Sequence, residues 1–136
     1  MVDSRFKSLD HPSDIGIVAY GQDNKEIFAN AAYGMFSLMA NLDGVADEEK
    51  YKIKINSDDL DSLLINWLNE LIFYQDTKKV LLKEFKIKKL DKNKLEAEVS
   101  GEEIDEERHF IYRPIKAATY NQLQIDKNQA RIIFDV

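Results

Sequence analysis

The feature that most constrains the fold is a long apolar stripe within residues 57–78. Its side chains recur every three or four positions, as they do on one face of a helix. The stripe consists of Leu60, Leu63, Leu64, Trp67, Leu68, Leu71 and Ile72. Ser57 and Asp58 come before it and are residue types that favour a helix start. A helix with this much apolar surface on one side must pack against something large, most simply the face of a β-sheet.

A second helix is predicted from Asp23 to about Ala40, where the apolar side chains again follow a helical period. Alternating apolar and polar residues predict seven strands, at about 5–9, 14–20, 50–56, 80–90, 94–100, 115–124 and 129–135. The element order is therefore ββαβα followed by four strands. We expect an α+β fold in which two helices pack on a mostly antiparallel, or else mixed, β-sheet.

The length of 136 residues and the absence of any compositional break predict a single domain, residues 1–136. The apolar fraction of 44% is normal for a folded protein. Without cysteine the chain can form neither a disulfide nor a thiolate metal site. Its apolar runs are too short to cross a membrane, and the first residues lack the apolar core of a signal peptide. We therefore expect a cytoplasmic protein without a membrane partner.

The formal net charge of −6 limits the class of partner. A protein that binds nucleic acid on its own usually carries an excess of basic residues to neutralise phosphates. This chain has the opposite excess, so we expect no stable nucleic-acid binding by the chain alone. A divalent cation or a basic protein surface is a better match for it.

Carboxylates at the two ends of the sequence form the first candidate site. Asp14 opens the second predicted strand, and Gly16 within that strand indicates a bulge or a close approach by another part of the chain. Asp135 and the α-carboxylate of Val136 close the last strand. Adjacent carboxylates repel one another unless a positive charge lies between them. A hard divalent cation with oxygen ligands would provide that charge, and Asp14 could complete its site.

Other residues near these segments leave alternatives open. Lys116 or Arg113 could supply the positive charge in place of a metal ion. The two histidines, His11 and His109, lie in the same two segments as the two prolines, Pro12 and Pro114. Histidines this far apart in sequence could meet in space, but each could equally be a surface or hydrogen-bonded turn residue. No phosphate-binding glycine loop, zinc motif or nucleophile elbow is present.

Several segments together resemble the archease family. The resemblance extends over nearly the whole chain, in the right order. Its segments are 11–17 (HPSDIGI) with Tyr20-Gly21, the helical residues 27–36 and 60–71, Arg108-His109, 115–120 (IKAATY) and the terminal 133–136 (IFDV). The terminal aspartate followed by an apolar residue and the Ile-Lys-Ala-x-Thr-Tyr pattern are the more specific parts.

The resemblance implies a role, a partner and a set of site residues. It implies an accessory protein, not an enzyme, that promotes guanylylation and multiple turnover of a GTP-dependent tRNA-splicing and RNA-repair ligase. It implies a divalent metal, calcium by preference and magnesium or manganese otherwise, held by Asp14, Asp135 and Val136. Lys116 is implied as important for activation, and His11 and His109 are further candidates. No catalytic residue is implied.

Two departures from the family pattern and two other functions stay open. The usual His-Thr-Ala-Asp reads His-Pro-Ser-Asp here, which keeps Asp14, whereas the histidine that commonly follows Thr-Tyr is Asn121. One alternative function is a general protein chaperone or assembly module, which would need an exposed apolar patch. The other is a metal-dependent phosphoester hydrolase, for which the sequence offers no clear nucleophile or base.

Overall fold

The two predicted helices are present in a computed structural model, which describes residues 4–10 and 15–136. Helix α1 spans Asn24–Met39 and begins at Asp23, whose side chain accepts a hydrogen bond from the backbone N–H of Glu26. Helix α2 spans Leu60–Lys78. Its cap is Asp59, one residue later than the sequence indicates, because Asp59 and Ser62 form a reciprocal capping box. No helix in these residues is long and apolar enough to cross a membrane.

Seven strands form two antiparallel sheets in the described part of the chain. They are β1 (Phe6–Asp10), β2 (Ile15–Tyr20), β3 (Glu49–Asn56), β4 (Val80–Leu90), β5 (Lys94–Glu103), β6 (Ala117–Ile125) and β7 (Gln129–Asp135). The strand order is β1-β2-β7-β6 in the first sheet and β3-β5-β4 in the second. The predicted α+β class and element order are confirmed. The division of the strands into two sheets was not part of the prediction.

A shared core joins both helices to both sheets. Helix α1 packs on β2 and β4, whereas α2 packs mainly on β6. The side chain of Trp67 is fully buried, and its indole N–H donates a 3.0 Å hydrogen bond to the carbonyl oxygen of Phe28. This bond satisfies the one polar group of a large apolar side chain, and it ties α2 to α1.

Strands β2 and β7 are neighbours, so the early and late parts of the chain meet in the first sheet. Ile15 pairs with Phe134, and Gly16 pairs with Ile133. A Cβ atom on Gly16 would lie 2.6 Å from the carbonyl oxygen of Ile132 and 2.8 Å from Cδ1 of Ile133. The close approach expected at Gly16 is therefore confirmed, and glycine is the residue that fits there.

We expect Gly16→Ala to lower the free energy of unfolding by about 1–3 kcal/mol, the usual cost of inserting a methyl group into a packed site. The cost arises because the carbonyl of Ile132 cannot move without disturbing the pairing of β2 with β7. Chemical denaturation measures it. Ser8→Ala, an exposed change on β1, is the control and should alter stability by less than about 0.5 kcal/mol. An equally small effect of Gly16→Ala would contradict the close approach.

Candidate functional site

The C-terminal end of β7, with Asp135 and Val136, lies beside Lys116. We call these two residues the carboxylate end of β7. Ala117 pairs with Asp135, and the backbone N–H of Lys116 donates a 2.8 Å hydrogen bond to the carbonyl oxygen of Asp135. The side chains of Lys116, Asp135 and Val136 are all exposed. This backbone hydrogen bond places Lys116, the residue just before β6, next to Asp135 at the end of β7, so an ammonium group and a carboxylate are exposed at the same end of the hairpin.

The other predicted ligand, Asp14, and the candidate His11 lie outside the described residues. The residue that follows Asp14 in the chain, Ile15, pairs with Phe134, which precedes Asp135. Within residues 4–10 and 15–136 no three His, Asp or Glu side chains are grouped closely enough to hold a metal ion. The described part of the site thus contributes Asp135 and Val136, and a cation there needs further oxygen ligands.

Neither basic side chain considered as a counter-charge is paired with Asp135. The guanidinium of Arg113 donates a 2.9 Å hydrogen bond to the carbonyl oxygen of Leu38, at the end of α1. No ion pair joins Lys116 to Asp135 in the part of the chain that the structure describes. The exposed carboxylate oxygens of Asp135 are of the type that a hard divalent cation takes as ligands.

Asn69 of α2 fixes the first residues of β6. Its side-chain oxygen accepts a 2.8 Å hydrogen bond from the N–H of Ala118, and its amide group donates a 3.4 Å bond to the carbonyl oxygen of the same residue. On the other side, the hydroxyl of Thr119 donates to the carbonyl oxygen of Ile133. Asn69 thus occupies the free edge of β6 as a neighbouring strand would, and it holds Lys116 in register with β7.

A wide bulge interrupts β6 next to the site. Thr119 pairs with Ile133 and Gln124 with Arg131, so residues 120–123 face the single residue Ile132. Gln122 has a φ of 54°, in the left-handed region that non-glycine residues seldom adopt. Tyr120 and Asn121 are exposed on this bulge. The bulge could not be predicted from the sequence because no glycine marks it.

A groove runs along Lys116 on the side of α2. Its volume is about 450 Å³, and its walls include Phe73 and Asp76 of α2 opposite Pro114, Ile115 and Lys116. The phenyl ring of Phe73 is exposed although Ile115 is buried. The candidate site is therefore not confined to charged groups, since an apolar ring lies next to the lysine.

The histidine at position 109 lies elsewhere and is buried. Its Nδ1 accepts a 2.8 Å hydrogen bond from the backbone N–H of Asp105, and its Nε2 lies 3.1 Å from Oε1 of Glu102. Nδ1 therefore carries no hydrogen in this arrangement, and Nε2–H donates to Glu102. His109 has the role of a hydrogen-bonded turn residue, and it does not contact Lys116 or Asp135.

Glu102 is the centre of this second cluster. Its carboxylate accepts hydrogen bonds from the backbone N–H of Ala46, from His109 and from Arg108, with which it forms an ion pair. The pKa of Glu102 is lowered, mainly by the hydrogen bond from the N–H of Ala46. Partial burial acts in the opposite direction, and the hydrogen bonds from His109 and Arg108 add to the lowering. The cluster joins β5, the 41–46 loop and the 104–110 segment. The predicted strand ended at residue 100, whereas β5 continues to Glu103, so the cluster was not predicted.

The described fold is that of an α+β protein with two helices and two antiparallel sheets. The chain matches the archease protein family (MTH1598/TM1083) over residues 6–136, and it belongs to that family. The Methanosarcina mazei "Protein archease" is 32% identical over 97% of this chain and 96% of its own length.

Two solved structures agree with the fold. The solution structure of Methanobacterium thermoautotrophicum protein 1598 is 37% identical, has a TM-score of 0.81, and matches over 97% of this chain and 99% of its own. The crystal structure of an archease from Thermotoga maritima, described as a possible chaperone, has a TM-score of 0.57 over 96% of each chain. At 17% identity, that second likeness shows the fold alone.

We expect Glu102 to stabilise the fold most at neutral pH. Because its pKa is lowered in the folded chain, its contribution is complete above the ordinary glutamate pKa and is lost as pH falls through the folded-state value. Glu102→Gln should therefore lower the melting temperature at neutral pH, and the difference from wild type should shrink towards about pH 3. Glu103→Gln, an exposed neighbour, controls for the loss of charge. A difference that stays constant with pH would contradict the lowered pKa.

Proposed function

We propose that this archease is a metal-binding accessory protein that activates a GTP-dependent tRNA-splicing ligase, promoting its guanylylation and its multiple turnover. The observation that supports this most is the backbone hydrogen bond from Lys116 to Asp135, which leaves both side chains exposed at the same end of the β6–β7 hairpin. A lysine next to a carboxylate end suits contact with a nucleotide phosphate and a cation in a partner's active site. The proposal makes this chain an activator and assigns it no catalytic residue.

The metal ion of the proposal is held by carboxylate oxygens. Asp14, Asp135 and the terminal carboxylate of Val136 would be the ligands, with calcium as the preferred ion and magnesium or manganese as the others. Calcium accepts six to eight oxygen ligands in flexible geometry, so an exposed strand end suits it better than it suits magnesium. The bound ion would neutralise the carboxylates and let them approach a phosphate group.

Lys116 and the histidines have different parts in this proposal. The exposed ammonium of Lys116 can contact a phosphate or an acidic group of the partner. The buried imidazole of His109 acts at a distance, by holding the 104–110 segment through Glu102. His11, three positions before Asp14 in the sequence, stays a candidate. With a net charge of −6, the chain is expected to reach RNA only through the ligase.

We expect Asp135→Ala and Lys116→Ala each to reduce guanylylation of the cognate ligase at saturating activator by about tenfold or more, a loss typical of removing one charge-stabilising group. Asp135→Ala should also weaken calcium binding in calorimetry, whereas Lys116→Ala should not weaken it. This difference separates a metal ligand from a group that contacts the partner.

The β6–β7 hairpin offers matched controls at its opposite end. Asp126 and Lys127 lie in the turn between the two strands and are exposed. Asp126→Ala and Lys127→Ala remove the same charges from the same hairpin, so they should leave both activation and calcium affinity unchanged. Undiminished activation by folded Asp135→Ala and Lys116→Ala variants would refute the assignment of these two residues.

Extending the chain beyond Val136 tests whether its terminal carboxylate is a metal ligand. Adding two glycines after Val136 moves the terminal carboxylate away from Asp135 while keeping β7 intact. We expect calcium affinity and ligase activation to fall together. The same two residues added before Met1 serve as the control. Unchanged affinity in the C-terminal extension would exclude the terminal carboxylate as a ligand.

A general chaperone is the second candidate function, and one observation favours it. Several large apolar side chains are exposed, and three of them are consecutive: Phe110, Ile111 and Tyr112. The Thermotoga maritima relative is described as a possible chaperone. A chaperone would suppress aggregation of unrelated proteins, whereas an activator would act on the ligase only. Aggregation of a heat-denatured unrelated enzyme, with and without the chain, discriminates the two.

A further inference from the structure

We propose that Phe110, Ile111 and Tyr112, with the carboxylates around them, form a docking surface for a basic, apolar-centred surface of the partner protein. We call these three residues the apolar patch. The inference rests on the proposed function, because it takes the ligase as the partner that docks. The patch is separate from the carboxylate end of β7, and it would supply affinity where Lys116 and Asp135 supply activation.

The backbone of the patch is held firmly against α1. The carbonyl oxygen of Phe110 accepts a hydrogen bond from the N–H of Asn41, and Ile111 forms a β-bridge with Ala40. The N–H groups of Tyr112 and Arg113 both donate to the carbonyl oxygen of Met39. These bonds also satisfy a carbonyl group that the end of α1 would otherwise leave free. The segment is thus pinned in one conformation without burying its side chains.

The side chains of the patch point into solvent. Phe110 is 68% exposed, Ile111 43% and Tyr112 50%. The rings of Phe110 and Tyr112 contact each other, with centroids 5.4 Å apart. Three consecutive exposed apolar residues on a fixed backbone are typical of an interaction site. A partner can cover their apolar area with little loss of conformational entropy, because the backbone is already ordered. Aromatic side chains of this kind are the common anchors of protein interfaces.

Carboxylates lie beside the patch on two loops. The loop that follows Asn41 carries Asp43, and the turn before Phe110 carries Glu106 and Glu107; all three are exposed. We call these three residues the acidic rim. Glu102 holds both loops together, through Ala46 on one and His109 on the other. The charge of the nearby Arg108 is balanced by its ion pair with Glu102, whereas Arg113 donates to the neutral carbonyl of Leu38 and keeps its charge beside the three carboxylates.

The charge of the rim selects the class of partner. A phosphate backbone would be repelled by the three exposed carboxylates of the rim, which argues against RNA at this surface. A second copy of the chain would bring the same three carboxylates, so self-association through the patch is opposed as well. A protein surface with lysine or arginine around an apolar pocket is complementary to both, because the pocket would cover the patch and the basic residues would pair with the rim.

The test measures binding to the cognate ligase separately from activation of it. We expect the double variant Phe110→Ser/Tyr112→Ser to raise the Kd for the ligase about tenfold or more, as the loss of interface anchors does. Maximal activation at saturating activator should stay at the wild-type level. Glu106→Lys should raise the Kd several-fold and flatten its dependence on salt. Glu84→Lys, the same charge change on exposed β4, should leave the Kd within twofold.

The outcomes separate this inference from the proposed function. If the wild-type chain binds the ligase through the patch but does not activate it, the docking surface stands and the activator role fails. If the double variant binds and activates at wild-type concentrations, the docking surface is refuted and the activator role stands. No binding of the wild-type chain would refute the ligase as the partner. A wild-type dimer that the double variant converts to a monomer, with ligase affinity unchanged, would assign the patch to a second copy and overturn the inference.

Discussion

The placement of the candidate site depends on the antiparallel pairing of β2 with β7. These strands are more than a hundred residues apart in sequence, so closing the chain between them costs conformational entropy. The cost is offset by burial of Ile17, Ile132 and Phe134 in the common core. Gly16 lets the two backbones approach at the point of closest contact. Without this pairing, the early residues of the chain would have no fixed relation to Asp135.

The placement of the candidate site also depends on the long connection from β5 to β6, residues 104–116. It has little regular structure, yet its ends and its middle are tied to the rest of the molecule. The N–H of Ile104 donates to the carbonyl oxygen of Lys79, the middle is bound to Met39, and the N–H of Lys116 donates to Asp135. An irregular segment with satisfied backbone groups can be as fixed as a strand. This explains how Phe110 and Lys116 are presented in defined positions although neither lies in a strand or helix.

Much of the fold could be predicted from the sequence, but the parts that depend on distant contacts could not. The stripe of Leu60 to Ile72 and the alternation of Tyr51, Ile53 and Ile55 are local periodic signals, and the elements that they predict are present. The extension of β5 through Glu103 depends on pairing with Val80 and Leu81, which no local pattern reveals. The bulge at residues 120–123 has no glycine to mark it, because Gln122 itself adopts the left-handed conformation.

The candidate site was only partly predictable for the same reason. Lys116 and Asp135 were singled out separately, and their adjacency follows from the register of β6 on β7. The buried role of His109 depends on Glu102, a residue that resembles any surface glutamate in the sequence. The exposed patch was also not foreseen, since Phe110, Ile111 and Tyr112 look in sequence like residues of the core.

The patch and the carboxylate end are joined by one short segment, which limits the distance between them. Phe110 and Lys116 are six positions apart in the sequence, and a fully extended chain of that length spans at most about 20 Å. A single partner surface of ordinary size can therefore reach both. The acidic rim would attract the basic surface and also keep chains of this protein apart, so exposed aromatic residues need not cause self-association. Docking at the patch would then raise the local concentration of Lys116 and Asp135 at the partner's site, without either group having to supply binding energy of its own.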